Sequence, residues 1–208
     1  MPLDAFIVGN VNRNQHRKRL DLSVLYFAEW VQTRQIEDAY LYFHTLPGSS
    51  VAIDLDQLGK YCGISDRLIL AQPRDVFNGA SEEYVVASYR SFDVQISTTL
   101  GEGHGLTAME GMACGIPNIG GDYAAFGEWA RDAMYLVPCI SEGIMPDVNQ
   151  MIGGVPSKAA MIDALDVLYR DEALRATYSE RGLVCVRQSK YDWKNIATQF
   201  ATAIEEIV

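Results

Sequence analysis

Two glutamates, Glu102 and Glu110, stand eight residues apart around a loop in which Gly101, Gly103 and Gly105 occupy alternate positions. Glycines so placed let the backbone take positive φ and come close to a ligand. The stretch that follows has Leu106, Met109 and Ala113 at helical spacing, so a helix opens at Leu106. Its first N–H groups and the positive end of its dipole form a socket for an anion, most naturally a phosphate. Carboxylates on either side accept hydrogen bonds from hydroxyls. Phosphate with hydroxyls describes a nucleotide or a sugar nucleotide, whereas the plainer alternative is only a tight turn in an α/β protein.

A second cluster lies near the N-terminus. Arg13, Arg17, Lys18 and Arg19 place four of the chain's 17 basic residues within seven positions. Such a run is often a solvated surface. Read functionally, two of these cations reach phosphates and neutralise the charge that develops as a nucleoside diphosphate leaves. No Asp-x-Asp motif directly follows a predicted strand, so the leaving group would be stabilised by cations and dipoles, with no metal and no cofactor. His44 could face the same cleft, although a lone histidine is more often a satisfied structural residue.

These residues need elements to position them. An apolar run at 3–9 predicts the first strand, residues 20–33 an amphipathic helix, 40–44 a second strand, and 55–62 a helix introduced by Asp54 or Asp56. Residues 67–71 read as a third strand, and Ser81 as the N-cap of a helix reaching Ser91. A fourth strand at 92–97 leads into the glycine loop and the helix at 106–114. Short strands at 118–119 and 134–138 follow, and the remainder reads as helices at 158–169, 172–188 and 193–207. Strands alternating with helices imply a doubly wound parallel sheet of Rossmann type, an α/β fold. Both candidate loops then fall at the carboxyl ends of strands.

At 208 residues and 49% hydrophobic content, the chain suits one well-packed domain spanning 1–208. Its 17 basic against 27 acidic residues give a formal charge of −10, which argues against a general nucleic-acid binder or an anionic-membrane surface protein. Cys62, Cys114, Cys139 and Cys185 lack metal-ligand spacing and read as free thiols of a reducing compartment. There is no 18-residue apolar run and no basic region ahead of the first apolar stretch, so a soluble, cytoplasmic protein is expected.

The segment EGHGLTAMEGMACGIP, residues 102–117, resembles the Glu-x7-Glu segment of the retaining glycosyltransferases of the GT-B fold, glycosyl transferases group 1. That pattern reads roughly E-G-F-G-L-x-x-x-E-A-M-A-x-G-x-P, and Glu102, Gly103, Gly105, Leu106, Glu110, Met112, Ala113, Gly115 and Pro117 match in register. His104 stands where the family usually has an aromatic, and Gly111 where it has alanine. The loop at 8–21 resembles the family's Arg and Lys loop after the first strand of the C-terminal domain. Residues 78–94, 120–129 and 191–197 resemble its G-x6-L-x3-Y-x3-D-V run, its G-G-x-x-E loop in lengthened form and its closing F-x-W-x-x-I-A.

The resemblance implies the C-terminal, donor-binding half of a two-domain GT-B enzyme, with the N-terminal acceptor domain absent from this chain and supplied by another chain or a longer parent protein. It implies that Arg13 and Lys18 hold the donor diphosphate, with Arg17 or Arg19 as alternatives in register. Amides near Gly103, His104, Gly105, Leu106 and Thr107 would assist, Glu110 would bind the ribose hydroxyls, and Glu102 the transferred sugar. Glu128 and Trp193 are expected to be a loop tie and a packing aromatic. Two other readings stand beside this one. Gly103, Gly105 and Ala108 satisfy a loose G-x-G-x-x-A, the fingerprint of an NAD-type enzyme, but that fingerprint belongs after the first strand. A non-catalytic nucleotide-sugar-binding module would keep the donor site intact.

Overall fold

A computed structural model describes residues 2–45, 53–71, 79–144 and 152–207. Asn78, which opens the 78–94 run, lies outside the described residues. Six parallel strands, Phe6–Val11 (β1), Ala39–His44 (β2), Leu68–Ala71 (β3), Val94–Ser97 (β4), Asn118–Gly121 (β5) and Tyr135–Val137 (β6), form a sheet of order β3-β2-β1-β4-β5-β6. This is the doubly wound sheet expected from the sequence. In β1, Val8 lies opposite both Leu41 and Val94, and all three are fully buried. Strand order reverses between β1 and β4, and the crevice beyond the carboxyl ends of those two strands is where such sheets bind ligands. The basic loop leaves β1 there and the glycine loop leaves β4.

Helices cover both faces. In Leu20–Thr33 (α1), Leu20, Val24, Phe27 and Trp30 repeat at helical spacing and are fully buried. The Trp30 ring meets Phe6, Phe27 and Tyr169 edge-on at centroid distances of 6.2, 5.7 and 5.6 Å. Helix α1 packs on Lys158–Arg170 (here α6), whose Met161, Ala164, Leu165 and Leu168 are also sealed from water. Between them in sequence come Leu55–Tyr61 (α2), Glu82–Arg90 (α3), Leu106–Ala113 (α4) and Ala124–Trp129 (α5). After α6 come Glu172–Val186 (α7) and Trp193–Glu205 (α8). Capping settles one open choice, because the Asp54 side chain accepts from Gln57 N and so caps α2. Ser81 caps α3 as expected, accepting from Tyr84 N.

Four features depart from expectation. Strand β1 begins at Phe6 and continues to Val11, because parallel pairing with β2 extends as far as Val11 opposite His44. The chain after β6 is not all helical: Cys139–Ile144 (β7) and Ile152–Pro156 (β8) pair antiparallel, and Gly154 N donates to Leu100 O at 2.8 Å. Alternation is weak in CISEGI and IGGVP, so tertiary pairing rather than local pattern makes these strands. The lengthened 120–129 loop contains α5, and Glu128 is exposed on it rather than serving as a loop tie. Trp193 is 81% exposed at the start of α8 and packs as no core aromatic does. The four cysteines are unpaired, and among the described residues no helix is long and apolar enough to cross a membrane.

Candidate functional site

At the reversal point the two loops are tied together through their backbones. Leu100 N donates to Arg17 O at 2.9 Å, and the buried Thr98 hydroxyl donates to Arg19 O at 2.7 Å. Arg19 takes left-handed geometry, φ 48° and ψ 48°, unusual for a residue with a side chain. It ends a short 3₁₀ turn at His16–Lys18 and starts α1, which turns the Lys18 side chain inward. Lys18 is the one buried basic residue among those described, a placement lysine seldom takes unless it is paired.

Its partner is Glu102. Lys18 Nζ donates to Glu102 Oε1 at 2.6 Å, and Arg17 Nη1 donates both to Glu102 Oε2 at 2.9 Å and to Gly101 O at 2.8 Å. The first turn of α5 steadies the same residue, since Ala125 N lies 3.4 Å from Glu102 O. Burial opposes ionisation of Glu102, yet the hydrogen bonds and charges of Lys18 and Arg17 outweigh it and hold the carboxyl below its usual range. At Lys18 the balance falls the other way. Burial lowers its pKa, Glu102 restores part of the loss, and the nearby cations Arg17 and Arg13 lower it further. Arg13, Arg17 and Lys18 against one carboxylate leave an excess of two positive charges in a protein of net charge −10. Arg19 does not contribute, because its guanidinium forks onto Asp21 at 2.8–3.2 Å.

Helix α4 opens at the same place. Gly105, at φ 89°, is its N-cap, and a Cβ there would lie 2.4 Å from the Phe126 ring. The expectation that all three loop glycines take positive φ holds only for Gly105. Gly101 and Gly103 do not adopt it, and a Cβ would find ordinary contact at Gly101 and open space at Gly103. Ala108 N and Met109 N turn back to Gly105 O, so the Leu106 and Thr107 amides are the outward pair at the helix start. The His104 ring stacks on Trp129 at 5.4 Å, and Trp129 Nε1 donates to His104 O at 2.8 Å. His104 thereby takes up the aromatic contact of the loop instead of standing free in the socket.

Glu110 is exposed and accepts a 2.7 Å hydrogen bond from the Tyr89 hydroxyl, whose pKa burial pushes up strongly, with the Glu110 bond adding to it. Tyr89 also donates to Thr107 O. Its position in the G-x6-L-x3-Y-x3-D-V run is readable in the sequence, but its contact with Glu110 is not. Gly111 has a direct cause. A Cβ there would stand 2.1 Å from Gln95 Oε1, and Gln95 is buried beneath α4 with Nε2 donating to Thr107 O at 3.1 Å.

Arg13 is exposed and lines a cleft of about 260 Å3 with Val11, Asn12, His44, Ala80 and Thr107. His44 thus does face this cleft. Burial lowers its pKa, keeping the ring neutral. The geometry therefore joins Lys18, Arg17 and Glu102 in one partly buried cluster, places Arg13 and Thr107 at an adjoining cleft, and holds Glu110 from α3. Among the described residues no group of three or more His, Cys, Asp or Glu side chains is arranged to hold a metal ion.

No family model matches the chain. It is 32% identical to a phosphatidyl-myo-inositol mannosyltransferase of Mycobacterium leprae (strain TN) over 122 residues, 58% of this chain and 28% of that one. In fold it resembles sucrose-phosphate synthase from Thermosynechococcus elongatus, with TM-score 0.73 and 23% identity over 100% of this chain and 46% of that one. It also resembles the C-terminal domain of a glycosyl transferase group 1 family protein from Francisella tularensis, with TM-score 0.64 and 20% identity over 90% of this chain and 87% of that one. The chain thus spans less than half the length of the first two proteins and most of the third. In sheet order it has the Rossmann-like fold of a GT-B domain, and with its Glu-x7-Glu segment it resembles the C-terminal half of the group 1 glycosyltransferases.

Proposed function

We propose that this chain is the donor-binding domain of a glycosyltransferase that moves a sugar from a nucleotide-sugar to an acceptor with retention of configuration. The observation that carries the reading is the grouping, at the point where the sheet reverses, of Lys18 and Arg17 paired to the buried Glu102 carboxylate with Arg13 close enough to be felt by Lys18. Its two excess positive charges suit a diphosphate, and the Leu106 and Thr107 amides add the positive end of α4. Charge grows on the diphosphate as the glycosidic bond breaks, and cations already fixed in a partly dry pocket stabilise it without rearranging. Lys18 and Arg13 take that role here, with no metal.

Glu102 has a double part in this reading. It aligns Lys18 and Arg17, and its remaining lone pairs accept hydroxyls of the transferred sugar. Glu110, held by Tyr89, accepts from the ribose hydroxyls. The acceptor would be held by a further domain, on the same polypeptide or another. Free thiols at Cys62, Cys114, Cys139 and Cys185 suit a reducing cytoplasm. The NAD reading finds less support, because the G-x-G-x-x-A segment follows β4 and the basic loop follows β1.

A thermal-shift panel of UDP, GDP, ADP, their sugars and NAD tests the proposal. Ligand at a hundred times its Kd stabilises a folded protein by about 2.7 kcal/mol, so one nucleoside diphosphate or its sugar should raise Tm well above the effect of NAD. Stabilisation by NAD alone would transfer the argument to a dinucleotide enzyme.

A further inference from the structure

Gln95 lies on β4 and is 1% exposed, with its carboxamide under α4. A buried primary amide weakens a fold unless its donors and its acceptor find partners. This one is used on one side only. Nε2 donates to Thr107 O at 3.1 Å, whereas among the described residues Oε1 is one of the buried side-chain atoms without a hydrogen-bond partner. The helix above also lacks a methyl group where the amide stands, since a Cβ on Gly111 would lie 2.1 Å from Oε1. Glycine inside a helix and an unpaired acceptor both act against stability, so the bond to Thr107 O calls for a functional reason.

That bond reaches the start of α4. The Thr107 carbonyl shares a peptide group with the Ala108 N–H, which donates to Gly105 O at 3.0 Å, and the Gly105 carbonyl shares a peptide group with the Leu106 N–H. Gln95 Nε2 therefore stands at one end of a line of two peptide groups, and the Leu106 amide, one of the outward pair at the helix start, stands at the other. A donor placed on a carbonyl draws electrons from the N–H of the same peptide group, and hydrogen bonds in such a line strengthen one another by about 10–30% each. Tyr89 reaches the same oxygen at 3.2 Å, but its single proton lies chiefly toward Glu110 at 2.7 Å. Gln95 is thus the main side-chain donor to the line, and it acts without adding charge.

We propose that Gln95 is a positioning residue for the donor diphosphate. From beneath α4 it holds the first turn and polarises the peptide groups that end at the Leu106 N–H, so that this amide meets an anion as a stronger and better aligned donor. Gly111 belongs to the same device, because a Cβ there would push the carboxamide away from Thr107 O. The inference rests on the donor-binding reading of the site, and it assigns part of the affinity for the anion to a buried residue that acts only through the backbone.

Calorimetric and proton–nitrogen NMR titrations with inorganic pyrophosphate test it on the 208-residue chain, on Gln95→Met, on Gly111→Ala and on the double variant. Methionine removes the donor and the unpaired acceptor together, and Thr107 O keeps its contact with the Tyr89 hydroxyl, so Tm should not fall. Pyrophosphate affinity should nevertheless fall by about threefold or more, a part of one charge-assisted hydrogen bond. At saturation the Leu106 amide proton should move downfield in the wild-type chain and roughly half as far or less in Gln95→Met. Gly111→Ala, which keeps the glutamine but displaces it, should lose affinity to a similar degree, and the double variant should lose no more than Gln95→Met alone because both changes act through one bond. Should Gln95→Met fail to fold, Gly111→Ala carries the same two readouts. A Leu106 amide that stays still, or moves equally with and without the glutamine, overturns the inference and leaves the donor reading standing. An affinity loss below about threefold in Gln95→Met, or losses that add in the double variant, does likewise. If pyrophosphate, UDP, GDP, ADP and CDP all fail to bind the wild-type chain, the donor reading and the inference fall together.

Discussion

Replacing Glu102 by glutamine keeps the shape of the side chain and deletes its charge. Glu102 faces Lys18 at 2.6 Å and Arg17 at 2.9 Å, and at the effective dielectric of about 20 that suits protein sites each contact is worth about 6 kcal/mol of attraction. Desolvation of the three charges opposes most of that gain. The variant loses the attraction while Lys18 remains buried and Arg17 remains beside it, and breaking such a pair from one side costs about 3–5 kcal/mol. The Arg17 side chain is 27% exposed and can turn partly into water, so the lower end, about 3 kcal/mol, is expected. For a domain of this length that lowers Tm by about 6–12 °C.

Calorimetric or fluorescence-monitored melting reads the loss directly, and pH separates it from a packing defect. The carboxyl of Glu102 is held below its usual range, so its stabilisation is present above the unfolded-state pKa near 4.3 and is lost as pH falls through the lower folded value. Wild type and Glu102→Gln should therefore differ most near neutrality and converge in acid. A diphosphate should also stabilise Glu102→Gln by more than it stabilises the wild-type chain, because it supplies the missing negative charge. A Tm within about 2 °C of wild type at pH 7 would refute the paired, buried arrangement. A gap that persists unchanged into acid would assign the loss to shape instead of charge.

Arg13→Ala and Lys18→Ala should each weaken diphosphate binding by roughly tenfold or more, since a charge-assisted hydrogen bond is worth about 1.5–3 kcal/mol, while Arg19→Ala should leave affinity unchanged because Arg19 already forks onto Asp21. Tyr89→Phe should reduce the discrimination between ribose and deoxyribose diphosphates, measured as a ratio of Kd values, by freeing the Glu110 carboxylate from its 2.7 Å tether; an unchanged ratio would separate Glu110 from ribose recognition. Gly111→Ala should cost about 1–3 kcal/mol in denaturant unfolding, and less than half as much when Gln95 is also changed to alanine, because the clash lies with Gln95 Oε1.

Much of this architecture is local in origin. The helix at 20–33 is predicted to the residue, because its apolar spacing and its buried face are the same feature. The sheet follows from alternation of strand and helix, and its order brings the two candidate loops together. The antiparallel strands β7 and β8 and helix α5 were not legible, since the strands are stabilised by pairing with each other and by contact with Leu100, and the helix is short, with Ala125 and Phe126 its buried residues. Trp193 shows the reverse failure. Its type suggests a core residue, but type cannot report that the surface it would pack against is solvent.

The site residues divide along the same line. The roles proposed for Arg13, Lys18, Glu102 and Glu110 come from a motif carried by consecutive sequence, whereas their partners come from distance. Arg17 was readable only as a cation of unsettled register, and its use becomes definite when its guanidinium is seen bridging Gly101 O and Glu102. Gly111 is the sharper case. Taken alone, glycine where the family has alanine reads as a weakened helix, costing roughly 1 kcal/mol. Beside Gln95 it is the residue that lets a buried amide reach Thr107 O under α4. The departure and its cause lie sixteen positions apart on different elements, so a substitution that looks like a defect in one helix is half of a fitted pair that supports the floor of the site.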